Sequence, residues 1–128
     1  MSELRLVRRF QKKFELVYRG APRLLPTETF IFRLNLLKEE IQEYEDAVNE
    51  GNLEKIFDAI IDIDYVLKGM ALLHGFKKYR KGFRRVHKAN MKKVKSELDT
   101  NGIRGYHDPE RIIKPIGWKA PDLSDLVK

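Results

Sequence analysis

Six carboxylates at helical spacing are the residues most able to do chemistry in this chain. Glu39, Glu40 and Glu43 form one group, and Glu54, Asp58 and Asp62 form another. At about 100° of helical rotation per residue, Asp62 lies about 40° from Asp58, and Glu54 about 40° to its other side. Tyr65 and Gly69 fall on the same line, so these five residues make one polar stripe, whereas Asp64 points elsewhere. In the preceding segment, Glu40 sits at the edge of the apolar face beside Tyr44, with Glu43 about one turn along. Two antiparallel helices joined by a tight turn would bring Glu40 and Glu43 towards Asp58 and Asp62. Carboxylates inside a bundle repel one another and lose hydration, and a hard divalent cation relieves both costs. Oxygen-only donors without Cys or a nearby His favour Mg²⁺ or Mn²⁺ over zinc. Neither His74 nor His87 has a Glu three residues before it, so a di-iron bundle is not indicated. The alternative is a solvated acidic face, and it weighs more for Glu39, Glu40 and Glu43 than for Asp58 and Asp62.

A second group of residues has the opposite sign. Between Lys77 and Lys95 there are ten bases and no acid, whereas between Lys38 and Asp64 ten acids face only Lys38 and Lys55. Arg84, Arg85, His87, Lys88, Asn90, Lys92 and Lys93 could neutralise and orient phosphate oxygens, or simply form a solvated basic helix. A nucleic-acid backbone would use the same residues. A metal-binding cluster together with a cationic helix suits a phosphate ligand carrying Mg²⁺. The metal would polarise a phosphoryl oxygen and lower the pKa of an attacking water, and a spare carboxylate could take the proton. Hydrolysis of a phosphate ester or anhydride follows, without saying which bond breaks.

Four helical stretches must position these groups. Leu4 to Val17 is amphipathic, and Gly20-Ala21-Pro22 and Pro26 break it. Thr27 is placed as the N-cap of a second helix whose apolar face is Leu34, Leu37, Ile41, Tyr44 and Val48. Gly51-Asn52 ends that helix and caps the next. The third, about Leu53 to Leu73, is apolar nearly all round, which predicts burial at the centre of a bundle. Gly75 closes it. A basic fourth helix is expected over roughly Tyr79 to Leu98. After Thr100-Asn101-Gly102 comes an irregular tail with Gly105, Tyr106, Pro109, Pro115, Gly117 and Pro121. It carries Ile112, Ile113 and Ile116, has room for a short hairpin, and packs in part through Trp118.

The expected fold is all-α: a bundle of about four helices with an irregular C-terminal tail, completed by dimerisation. The chain has 128 residues, a net charge of +7, 42% hydrophobic residues and no cysteine. That length is one domain (core about 2–98, tail about 99–128). The composition excludes a disordered chain, a disulfide framework and thiolate catalysis. No apolar run reaches membrane-spanning length and the N-terminus lacks a signal-peptide stretch, so the expected compartment is cytoplasmic.

Three motifs resemble one family. Leu37-Lys38-Glu39-Glu40-Ile41-Gln42-Glu43 is similar to the EE-x-x-E helix of MazG-like, all-α nucleoside triphosphate pyrophosphohydrolases. Asp58 to Gly69 is similar to their D-x-x-x-D-x-x-Y-V-x-x-G motif. Val86-His87-Lys88-Ala89-Asn90-Met91-Lys92-Lys93 resembles the V-H-x-x-N-M-x-K segment of the phosphoribosyl-ATP pyrophosphohydrolase-like branch. The resemblance spans nearly the whole chain. It implies a helical dimer or dimer of dimers, and Mg²⁺ on Glu40, Glu43, Asp58 and Asp62. Glu39 is implied as metal ligand or water activator, with Glu40 sharing the catalytic role. Nucleotide contacts are implied for His87, Asn90 and Lys93, with Tyr65 lining the pocket. The implied reaction cleaves between the α and β phosphates, giving a monophosphate and pyrophosphate. The nucleotide would be one such as dUTP, dCTP or a damaged dNTP. Many relatives carry Glu three residues before the first Asp of the second motif; here Lys55 stands there, with Glu54 as a possible substitute. Two other readings compete: a non-enzymatic basic protein binding nucleic acid through Lys77 to Lys95, and a family scaffold without catalysis.

Overall fold

The structure is a computed structural model that describes residues 1–96 and 109–128. The chain divides into two compact units, Met1–Lys77 and Lys78–Lys128. The fold is all-α, with four helices and a minimal strand pair among the described residues.

The first unit holds α1 (Glu3–Lys13), α2 (Thr27–Glu50) and α3 (Leu53–Leu73). The Ser2 hydroxyl accepts from the Arg5 N–H and Glu3 sits in the first turn of α1, which suits the exposed donors and positive dipole there. α1 ends earlier than the sequence predicts. Phe14 is its cap and Glu15 adopts a φ of 58°, so the apolar spacing that continues to Val17 no longer lies on a helix. α2 begins at Thr27 itself; Pro26 occupies the cap position and no side chain caps the end. Thr27 is therefore a helical residue rather than the expected N-cap. Pro26, which fixes φ and lacks an N–H, starts the helix instead.

The α2–α3 turn follows its sequence signals. Gly51 has φ 68° and closes α2 in the left-handed conformation, and Asn52 Oδ1 accepts from the Lys55 N–H at 3.1 Å to open α3. A two-residue connection makes the helices antiparallel neighbours. Ala47 and Ala59, both under 5% exposed, sit in this hairpin, and their small side chains suit close approach of the two backbones. α1 packs on α3 through Val7 and Gln11, and Val66, Ala71, Leu72 and Leu73 complete the core.

The segment between α1 and α2 returns to the end of α3. The Arg23 N–H donates to His74 O at 2.8 Å, and Arg23 Nε donates to Leu73 O at 3.1 Å. The Arg23 guanidinium lies over the Tyr18 ring, 3.6 Å from its centroid. Arg23 thus satisfies carbonyls that the last turn of α3 leaves without helical partners. Gly75, at φ 83°, allows the reversal that follows.

The expectation of an α3 buried on all sides is overturned. Leu53 is 80% exposed, Phe57 68%, and Ile60 and Ile61 about half. The reason is geometric: within the first unit, α1 and α2 cover one side of α3 and leave the apolar opposite side open near its N-terminal half.

The second unit holds α4 (Tyr79–Asn90), the antiparallel pair β1 (Val94–Lys95) and β2 (Ile112–Ile113), and a 3-10 turn at Ser124–Leu126. α4 stops at Asn90, so the fourth helix is shorter than expected, and Val94 and Lys95 are strand. The hairpin expected within the tail takes only one arm from it. Leu98, Thr100-Asn101-Gly102, Gly105 and Tyr106 lie outside the described residues. Trp118 packs as expected: its Nε1–H donates to Ala89 O at 2.7 Å. Lys93 and Lys114 both lie over the indole, at 5.4 and 4.9 Å from its centroid. Arg85 forms a two-pronged pair with Asp125 at 2.6 and 3.0 Å and donates to Asp122 O. That contact holds the Asp125 carboxyl down to about 2.

Both α-helical turns of the first unit yield a comparison. Gly51 has open space where a Cβ would stand, so Gly51→Ala carries only the cost of left-handed backbone, about 1–2 kcal/mol. At Gly75 the same Cβ would also lie 3.0 Å from Ala21 O and from Tyr18 Cε1. Gly75→Ala should therefore destabilise more than Gly51→Ala in urea unfolding; equal midpoints would show that the returning segment does not press on this turn.

Candidate metal centre

The antiparallel α2–α3 pair brings the acidic motifs together. One carboxylate oxygen each from Glu40, Glu43 and Asp62 lies within 4.8 Å of the other two. Glu40 and Glu43 are three apart on α2, hence neighbours on its surface, and α3 presents Asp62 to them. Glu40 and Asp62 are half-buried, and Glu43 is exposed.

Electrostatics within this group are unfavourable without a counter-charge. Loss of hydration pushes the Glu40 carboxyl up, and repulsion from Glu43, Asp62 and Glu39 adds to it, as does a hydrogen bond with Glu43. The Asp62 carboxyl is raised by burial first, then by Asp58 and Glu43. Among the described residues no cation is paired with them: Lys55 pairs with Glu50 at 3.0 Å and Lys68 pairs with Asp64. Glu40 Oε2 is shielded from solvent and has no hydrogen-bond partner among the described residues. A buried anionic oxygen without a partner is rare and costly, and it points to a group that completes the site.

The donor set fits a hard divalent cation. Three carboxylates leave room for the waters and phosphate oxygens that Mg²⁺ keeps in its shell. Mn²⁺ accepts the same oxygens, whereas zinc prefers nitrogen and sulfur.

Among the other expected residues, Glu39 and Asp58 are exposed and flank the three, close enough to raise Glu40 and Asp62 respectively. Asp58 lines a hollow of about 290 Å³ with Glu43, Asp46, Ala47, Glu50, Lys55 and Ala59. Glu54 lies around a different hollow, with Asn52, Lys55, Phe57, Asp58 and Ile61, and is not among the three whose oxygens converge. Tyr65 lines a third cavity, of about 200 Å³, together with Glu40 and Asp62. Its ring meets that of Phe10 edge-on at 5.6 Å.

His87, Asn90 and Lys93 share the end of α4 in the second unit. His87 and Asn90 are exposed, while Lys93 is half-buried against Trp118. Arg85, grouped with them as a possible phosphate ligand, is instead engaged by Asp125.

Two polar residues of the third cavity escaped the sequence reading. Gln11 is 2% exposed and donates to Gly69 O at 3.0 Å; Arg33 is half-buried. Arg33 precedes Glu40 by seven residues, two helical turns, so projecting it onto the Glu40 face was a signal available beforehand.

Comparison with known proteins agrees with this geometry. A curated relative from Acanthamoeba polyphaga mimivirus, described as "Uncharacterized protein L479", is 36% identical over 103 residues, covering 76% of this chain and 41% of the viral protein. The chain thus spans about two fifths of the length of that relative. Residues 7–90 match the profile of phosphoribosyl-ATP pyrophosphohydrolase, a stretch that contains α2, α3, α4 and all three carboxylates of the centre. With two thirds of its length matched, the chain belongs to the phosphoribosyl-ATP pyrophosphohydrolase family of the MazG-like, all-α nucleoside triphosphate pyrophosphohydrolases.

Proposed function

We propose that this chain is a Mg²⁺-dependent nucleotide pyrophosphohydrolase that converts a (d)NTP to its monophosphate and pyrophosphate. The observation that carries the reading is the unpartnered Glu40 Oε2 within the Glu40–Glu43–Asp62 cluster, in a chain of this family. Glu40, Glu43 and Asp62 would hold the cation, with Asp58 alongside as a fourth carboxylate. When bound, the cation neutralises phosphate charge and makes a coordinated water more acidic. Glu39, exposed beside the cluster, is proposed to take the proton from the attacking water. The water attacks the α-phosphorus, the bond to the bridging oxygen breaks, and pyrophosphate leaves with that oxygen. Tyr65 supports the bound nucleotide from the cavity wall. His87, Asn90 and Lys93 are proposed nucleotide contacts on the strength of their motif. No helix among the described residues is long and apolar enough to cross a membrane, and action on soluble nucleotides in the cytoplasm accords with that.

We further propose that a second copy of the chain covers the open side of α3, where Leu53, Phe57, Ile60 and Ile61 stand exposed. Covering them favours association, by up to about 1.5–3 kcal/mol for a side chain taken from fully exposed to buried, offset by the cost of bringing two chains together.

Three outcomes are expected. Glu40→Gln and Asp62→Asn should each lower Mg²⁺-dependent pyrophosphate release by at least about 100-fold while leaving the helical circular dichroism intact. Full activity in both would remove the proposed centre. The second expectation concerns pH. The Glu40 and Asp62 carboxyls are raised in the folded protein, by burial first and by their acidic neighbours second, so the penalty for ionising them is absent below the ordinary carboxylate range and complete above the raised values. A cation relieves that penalty and competes with protons for the same oxygens. The gain in thermal midpoint on adding Mg²⁺ should then be larger at about pH 7.5 than at about pH 5. A pH-independent gain would place the ion elsewhere. Third, Phe57→Glu should convert a dimer to a monomer in light scattering, and a monomeric parent protein would sink the dimer.

A further inference from the structure

The cavity beside the carboxylates has two chemically different ends. Glu40 and Asp62 stand at one end, and Arg33, Gln11 and Gly69 at the other. Arg33 precedes Glu40 by seven residues on α2, and Gly69 follows Asp62 by seven on α3. Each interval is about 10 Å along its helix. The remaining walls are apolar or aromatic: Val7, Phe10, Leu36, Tyr65 and Val66. A cavity of about 200 Å³ with such walls and a few polar groups is built for a small organic ring rather than for phosphate.

Arg33 is the unusual member. It is half-buried, and burial pulls its pKa down, yet among the described residues it has no hydrogen bond or ion pair. The ion pairs of this unit are Lys55–Glu50 and Lys68–Asp64. Arg33 is also absent from the influences acting on Glu40 and Asp62, so it does not serve as their counter-charge. Its guanidinium is instead directed at the Gly69 end. A Cβ at Gly69 would lie 3.6 Å from Arg33 Nη1 and 3.5 Å from Gln11 Nε2. Gln11 is fixed there by its bond to Gly69 O. The missing side chain at Gly69 keeps free the space that these nitrogens flank. A partly desolvated guanidinium with no acceptor in the protein is costly unless a ligand supplies one.

We propose that Arg33 is the base-reading residue of this site and selects nucleobases that present a ring carbonyl oxygen over those that present an amine there. This rests on the pyrophosphohydrolase reading for the orientation of the nucleotide, whose phosphates lie at the carboxylate end. The base then reaches along the aromatic walls to the far end of the cavity. A guanidinium offers only donors, in a planar fork, so it matches the acceptors of uracil, guanine or hypoxanthine and meets an exocyclic amine donor to donor. Arginine paired to carbonyl and ring-nitrogen acceptors is a strong discriminator among bases.

Calorimetric titration in Mg²⁺ tests this with two matched pairs, dUMP against dCMP and dIMP against dAMP. Within each pair a carbonyl is exchanged for an amine on the same ring system. Deoxyribose 5-phosphate serves as the base-free control. The wild-type protein should bind the oxo member of at least one pair more tightly by about 10- to 100-fold, and Arg33→Gln should abolish that preference. Arg33→Lys, which keeps the charge but not the fork, should retain only part of it and carries the test if Arg33→Gln fails to fold. Binding of deoxyribose 5-phosphate should be unchanged in both variants. Equal losses for every ligand, including the base-free one, would assign Arg33 to phosphate and overturn the proposal. So would a wild-type protein with no preference, with the opposite preference, or with no binding. Pyrophosphate release from the corresponding triphosphates separates the two readings. Oxo preference in binding without turnover sinks the pyrophosphohydrolase and spares Arg33; turnover with an indifferent Arg33→Gln does the reverse.

Discussion

Repulsion among Glu40, Glu43 and Asp62 is the constraint around which the first unit is built. Three carboxylates with converging oxygens oppose the packing of α2 on α3 whenever all are ionised. The unit tolerates them because the opposing forces lie nearby. The two-residue turn at Gly51-Asn52 fixes the pairing of the helices, and Ala47 and Ala59 let them close on each other beyond the acidic group. Lys55 and Lys68 could have neutralised the cluster but pair with Glu50 and Asp64. The negative potential is thus left for a ligand rather than cancelled internally, as expected of a site that binds a cation.

The same geometry gives α1 its role. It adds little to the carboxylates, yet it closes the cavity that extends from them. Val7 and Phe10 supply wall, and Gln11 ties α1 to α3 through the Gly69 carbonyl. That carbonyl belongs to a helical residue, so the buried amide reinforces a backbone already in place and binds the two helices at one point. The returning segment does similar work one turn further along, at the C-terminal end of α3, where Arg23 serves the Leu73 carbonyl. Both attachments use a hydrogen bond from a long side chain, and neither appears in a hydrophobic pattern.

That difference separates what was legible in the sequence from what was not. Gly51-Asn52 declared the hairpin because its two conformations, left-handed cap and N-cap, have strong residue preferences. Once the hairpin was known, helical rotation alone brought Glu40 and Glu43 towards Asp62. Rotation cannot supply how far each side chain reaches, so Asp58 and Glu54, which share its stripe, were not distinguished from Asp62. Apolar periodicity also overran the ends of helices. Phe14 and Val17 continue the spacing of α1 after the backbone has left it, and Val94 continues that of α4 as a strand. An all-round apolar α3 says that its faces seek cover, but not whether the same chain provides it. Arg33 was missed because a single Arg between apolar residues looks like an ordinary solvated position until its neighbours across the cavity are known.

The Lys55 departure takes on a different meaning from this geometry. Many relatives carry Glu at this position, and exchanging an anion for a cation would weaken a centre that used it. Yet Lys55 lies in the first turn of α3, more than one turn before Asp62, and its ammonium is turned to Glu50 at the end of α2. The pair bridges the two sides of the hairpin turn, away from the converging oxygens of Glu40, Glu43 and Asp62. With Lys55 so engaged, positive charge at this position stabilises the hairpin end instead of displacing a cation from the centre. It also sets the boundary of the acidic hollow that Asp58 and Glu43 share, since both it and Glu50 line that hollow. The departure from the family pattern at Lys55 therefore leaves the three carboxylates that converge in place.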